Sequence, residues 1–89
     1  MPVIQGLVSP TGTVIRRRGQ FQVIAKSATI LEVEITGQNV TRAFVLATPW
    51  RNDGDIGPAP VSASPKPGAN DRMLFALDGY YGLSFRIET

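Results

Sequence analysis

The run Ile30-Leu31-Glu32-Val33-Glu34-Ile35-Thr36 alternates apolar and polar residues without a break. Successive side chains of a strand point to opposite faces, so Leu31, Val33 and Ile35 share one side and Glu32, Glu34 and Thr36 the other. A helix would scatter the same residues around its circumference. One such strand cannot fold alone, because its apolar face needs a second sheet to cover it. That requirement spreads along the chain. In the run GQFQVIAKS, Phe21, Val23 and Ala25 fall on one face. The C-terminal run places Tyr81, Leu83, Phe85 and Ile87 opposite Gly82, Ser84, Arg86 and Glu88. Pro2 to Val8 reads as a first strand, Ser9-Pro10-Thr11-Gly12 as a turn, and Thr13-Val14-Ile15 as a brief second strand. Ala43 to Ala47 is apolar enough to be a strand covered on both faces. No long stretch carries a helical stripe. The expected fold is all-β: a small antiparallel β-sandwich of about seven short strands.

The chain has 89 residues, enough for one domain spanning 1–89. A domain of this size buries roughly 60–65% of the surface its unfolded chain exposes, so its stability is modest. Cysteine and histidine are both missing, which excludes disulfides and the usual Cys/His zinc site. Oligomerisation is the remaining common route to more buried surface, and a homo-oligomer is expected. The net charge is +2, with signs mixed along the chain, unlike the dense basic face of a nucleic-acid binder. The start MPVIQGLVSP lacks a signal-peptide pattern, and no apolar run is long enough to cross a bilayer. Synthesis in a cytoplasm without secretion, and no membrane partner, are the expectations.

Leu77-Asp78-Gly79-Tyr80-Tyr81-Gly82-Leu83-Ser84-Phe85-Arg86-Ile87 joins two strand-like runs through Asp-Gly, a dipeptide suited to a type I′ hairpin turn. The same stretch resembles the penultimate-strand signature of immunoglobulin-like domains. The resemblance implies an immunoglobulin-like sandwich in which Tyr80 or Tyr81 ties its strand to the preceding corner. The chain departs from that family in lacking its disulfide pair and in stopping where one more strand should follow. Either the last run is the terminal strand, or an edge stays open for a neighbour.

Chemistry is sparse. Histidine, the commonest general base, is missing, and neither a nucleophile elbow nor a phosphate loop occurs. No enzyme activity, catalytic residue, cofactor or metal is expected. Glu32 and Glu34 share a face that could meet a cation or basic partner, although a solvated face is the simpler account. Asp53-Gly54-Asp55 begins like a calcium loop, but Ser64 stands where its closing glutamate is required. Arg16-Arg17-Arg18 is the densest charge and reads as a basic turn before Gly19. Its guanidiniums suit carboxylates or phosphates.

Five of the seven prolines fall in residues 49–71, together with the only tryptophan. This segment reads as one long Pro/Gly-rich loop or arm without strand or helix. Pro58-Ala59-Pro60 and Pro65-Lys66-Pro67 favour extended polyproline-II segments, which offer unpaired backbone to a partner. The candidate partner-binding residues are Trp50, Arg51, Ile56, Pro58, Pro60, Pro65 and Pro67 from the loop, with Arg16, Arg17 and Arg18. Trp50 reads equally as an interface anchor and as a cap on the domain's own core.

The functional expectation is a non-enzymatic structural or protein-binding module. Its specific form is a bacteriophage virion accessory protein, a capsid decoration or a head or tail component, docking through the long loop onto a capsid or other virion protein. Three alternatives stay open. One is a nucleic-acid-binding barrel using Arg16 to Arg18 with Lys26, Arg42 and Arg86. Another is a phage-encoded inhibitor of a host defence enzyme. The third is a carbohydrate module stacking sugars on Trp50, Tyr80 and Tyr81.

Overall fold

The computed structural model describes residues 2–51 and 61–89. Their eight strands are β1 (Val3–Val8), β2 (Val14–Arg18), β3 (Phe21–Lys26), β4 (Ile30–Ile35), β5 (Phe44–Trp50), β6 (Ser62–Pro65), β7 (Arg72–Ala76) and β8 (Gly82–Glu88). They form two four-stranded sheets, with orders β2-β1-β8-β5 and β3-β4-β7-β6. Every pairing is antiparallel. The all-β sandwich expected from the alternating runs is therefore what the chain adopts, with eight strands rather than about seven.

The core lies between the sheets. Ile4, Val8, Leu83, Phe85 and Ile87 come from the first, and Phe21, Leu31, Val33, Ile35, Met73 and Phe75 from the second. No polar or charged residue is buried among the described residues. At the centre Phe85 meets Phe21 edge-on with ring centroids 5.1 Å apart, and Phe75 at 5.4 Å. Gly6 makes room for them, since a Cβ there would lie 2.6 Å from both the Phe21 and the Phe85 ring.

Several local expectations need correction. Asp78-Gly79 does not close a hairpin. β7 pairs with β4 and β6, whereas β8 pairs with β1 and β5, so the dipeptide turns a corner between the sheets. Gly79 lacks the positive φ that a type I′ turn requires. Asp78 instead accepts the Tyr80 N–H on its own carboxylate at 2.9 Å, and the Gly79 N–H donates to Ala28 O at 2.8 Å. The corner packs so closely that a Cβ on Gly79 would lie 2.9 Å from Ala28 Cα. The final run is thus a central strand, paired on both sides, and leaves no open edge of its own.

β3 does not alternate throughout. Its register with β4 shifts between Val23 and Ala25, leaving Ile24 as the extra residue of a bulge. Ala25 consequently stands opposite Glu32 on the outer side, and Lys26 opposite Leu31. Arg16 to Arg18 are not a turn but the second half of β2, and the turn falls at Gly19, with φ 87°. β5 is covered on one face only, because in a two-layer sandwich the opposite sheet covers just the inner face.

The segment 49–71 is not one structureless loop. Pro49 and Trp50 complete β5, and Ser62 to Pro65 form β6, the edge of the second sheet. Both prolines sit where an edge strand tolerates a missing donor. Pro65-Lys66-Pro67 is not a polyproline helix. Lys66-Pro67-Gly68-Ala69 is a tight turn closed by the Ala69 N–H on Lys66 O at 3.2 Å. Gly68 has φ 80°, which with proline before it defines a type II turn. Ile56, Pro58, Pro60 and the Asp53-Gly54-Asp55 motif lie outside the described residues.

A candidate protein-binding face

The predicted site residues separate into three groups. Trp50 is half-buried, and its indole N–H donates to Val8 O at 3.0 Å. It lies so close over Gly82 that a Cβ there would be 2.7 Å from Nε1. The ring therefore lies against the outer face of its own sheet, in the Gly82 row, and not in the core between the sheets. Arg51 follows, with its guanidinium 3.3 Å from the Tyr80 ring centroid and 5.8 Å from that of Tyr81. Tyr81 is buried and Tyr80 carries this cation, so the tryptophan and two tyrosines do not form one open stacking platform. Pro65 and Pro67 belong to β6 and its turn, away from the arginines on the other sheet.

The three arginines divide by strand geometry. Arg17 stands opposite Gly6 and turns toward the core edge, where its Nη1 donates to Phe21 O at 2.8 Å. Its guanidinium lies 5.0 Å from the centroid of the Phe21 ring. Stacked on that ring and bonded to that carbonyl, it serves the fold. Arg16 and Arg18 point to the outer face, opposite Leu7 and Gln5. Neither makes an ion pair among the described residues.

The register across the four strands then fixes what surrounds them. One row runs Arg18, Gln5, Arg86, Leu46, and the next Arg16, Leu7, Ser84, Thr48. A third holds Val3, Glu88 and Phe44. Phe44 is 73% exposed and Leu46 71%, the two most exposed large apolar side chains among the described residues. Arg86 pairs with Glu88 at 3.0 Å. Arg16, Arg18, Arg86, Leu46 and Thr48 are among the residues that line a groove on this face. Three guanidiniums against one carboxylate leave the face with two net positive charges.

The outer face of the second sheet is its opposite in character. Glu32 accepts from Arg72 at 2.8 Å and from Lys66 at 3.1 Å, while Glu34 lies 3.6 Å from Arg72 and accepts the Gln22 amide at 2.9 Å. Hydrogen bonds from Arg72, then Lys66, hold the Glu32 carboxyl below its usual value, and the Glu32 bond raises Arg72. The glutamate pair is thus satisfied by its own chain. Lys26, at the far end of β3, donates to Gly79 O at 3.2 Å; partial burial lowers its pKa, opposed by the Asp78 charge. Among the described residues, no three acidic side chains come together as a metal site.

Reading from sequence missed Phe44 and Leu46, which the apolar run placed in the interior. The available signal was the architecture itself: in a two-layer sandwich each strand keeps one solvent face, whatever its composition. Comparison with known protein families, with curated proteins and with solved structures finds no match.

Proposed function

We propose that this chain is a non-enzymatic protein-binding module that docks through the outer face of the β2-β1-β8-β5 sheet. The observation that carries the reading is the pair Phe44 and Leu46, exposed side by side on the face that also holds Arg16, Arg18 and Arg86. Interface cores favour aromatic side chains and arginine over lysine and glutamate, and this face has that composition. The β6 arm of the Pro-rich segment contributes to the domain itself, so docking is assigned to the sheet face rather than to the whole loop. Within the class we place the protein as a bacteriophage virion accessory subunit. That setting rests on the sequence alone: a small, cysteine-free β scaffold with no catalytic motif.

Two measurements test the two levels. Mass spectrometry of purified particles from the source phage should detect the chain at stoichiometric amounts; its absence there rejects the virion setting. Phe44→Ser with Leu46→Ser should abolish co-purification with its partner while leaving the melting temperature unchanged, because both side chains are already in water. Retained co-purification rejects the face.

A further inference from the structure

We propose that the occupant of this face is a short, extended, acidic segment of a different protein, carrying apolar side chains on the same face as its carboxylates. The inference rests on the docking reading above and adds the chemistry of the partner. Charge comes first. Arg16 and Arg18 make no ion pair among the described residues, and they stand two apart on one strand. Arg86 lies in the Arg18 row, one strand beyond Gln5. At ~4.8 Å per strand the two guanidinium stems start about 10 Å apart. Carboxylates along one extended chain, at ~6.6–6.8 Å for every second residue, match the Arg16–Arg18 spacing. The residue between them points away from the sheet, so Leu7, and Leu46 and Phe44 three strands from β2, are met by apolar side chains that share the carboxylates' face where the segment crosses the strands.

A second copy of the chain fits poorly. Face to face, it would set two net positive charges against two more, since the same arginines recur on both sides. The other outer face offers no complement either, because Glu32 and Glu34 already hold Arg72 and Lys66. A single-stranded nucleic acid would need free rings on which to stack its bases; Phe44 is exposed on this face, whereas Trp50 on the same face is laid over Gly82 with its N–H on Val8 O.

The test uses the full chain and three labelled probes: an extended peptide with glutamate, leucine and phenylalanine at every second position and serine between them, its lysine counterpart, and an oligothymidylate. The acidic peptide should bind with an affinity that falls as salt rises. NMR shifts should map to Leu7, Leu46, Thr48 and Arg86. Arg16→Glu with Arg18→Glu should weaken binding by on the order of tenfold or more, and the lysine peptide should then bind in its place. The proposal is overturned if the oligothymidylate binds more tightly than the acidic peptide, if sedimentation shows a dimer lost in the Phe44→Ser/Leu46→Ser variant, or if no peptide binds. Equal binding of both peptides, lost with Phe44 and Leu46 but indifferent to the arginine reversal, overturns the acidic partner alone. Binding that maps elsewhere and ignores Phe44 and Leu46 removes the docking face as well.

Discussion

Gly6→Ala is the sharpest perturbation of this core, because one methyl group must enter the space between two fixed rings. The added Cβ would lie 2.6 Å from Phe21 Cζ and from Phe85 Cε1 and Cζ. Carbon atoms in good contact sit about 3.5–4.0 Å apart, so the rings must retreat by about 1 Å. Phe21 is 2% and Phe85 3% exposed, and their own edge-on contact leaves neither an open direction in which to move. Overpacking of this kind costs about 1–3 kcal/mol. Alanine recovers about 0.4–1 kcal/mol by restricting the unfolded chain. The net expectation is a loss of about 1–2 kcal/mol, or roughly 5–10 °C in melting temperature for a domain this small. Urea titration followed by the fluorescence of the single tryptophan reads the change, with an unaltered m-value as the sign that the unfolded state is the same. Phe85→Leu should itself be destabilising, yet in the Gly6→Ala background it removes the Phe85 part of the clash, leaving only Phe21 Cζ to retreat. The double variant should therefore be more stable than the sum of the single losses by about 1 kcal/mol. An unchanged midpoint for Gly6→Ala, or strict additivity in the cycle, would refute the steric account of this glycine.

Three further outcomes follow from the same geometry. Trp50→Phe keeps a ring over Gly82 but leaves the Val8 carbonyl without its indole donor, and should cost about 0.5–1.5 kcal/mol by circular-dichroism melting. Glu32 has a lower carboxyl pKa folded than unfolded, so the unfolded chain binds more protons near that range and stability rises with pH. Its contribution is complete above the ordinary value of 4.5 and declines as pH falls toward the folded value; Glu32→Gln should flatten that part of the urea midpoint–pH curve. Replacing both edge prolines, Pro49→Thr with Pro65→Val, should promote self-association detectable by sedimentation velocity, and a strictly monomeric double variant would contradict their protective role.

How far the sequence could be read depended on whether a feature was local. Leu31, Val33 and Ile35 face the core because alternation within one strand decides it, and the same holds for Tyr81, Leu83, Phe85 and Ile87. The sheet to which a strand belongs is a non-local property. Asp78-Gly79 has the composition of a hairpin turn, but the same aspartate can bond the Tyr80 N–H at a corner between sheets. Only the pairing of β8 with β1 separates the two. The bulge at Ile24 was hidden for a related reason, since one unpaired residue reverses the faces of Ala25 and Lys26 without any change in composition. In the docking face, the alternation within β2 was enough to separate Arg17 from Arg16 and Arg18. Treating those arginines as a turn concealed it. Their meeting with Phe44, Leu46 and Arg86 depended on four strands falling into register, which no local motif encodes.

The edges of the two sheets decide between the ways in which a sandwich of this kind can engage another protein. Adding a strand to an open edge is the simplest, and each edge here carries something that hinders it. β2 has a register shift against β1 and three consecutive arginines. β5 has Pro49, which lacks a donor. β3 is bulged at Ile24 and ends in Lys26, and β6 is only four residues long and ends in Pro65. Charge, proline, bulge and short length each disfavour backbone pairing for a separate physical reason, so the four devices arrive at one effect independently. The outer face of the second sheet is closed in another way, through Glu32 and Glu34 meeting Arg72 and Lys66. What remains is a face whose cations Arg16 and Arg18 lack ion-pair partners among the described residues and whose largest apolar side chains stand in water. Side-chain recognition on the β2-β1-β8-β5 face is thus the mode of binding that the fold leaves unobstructed. Under the docking proposed above, like charges on this sheet would keep identical copies apart, while an acidic partner would be drawn to the same surface.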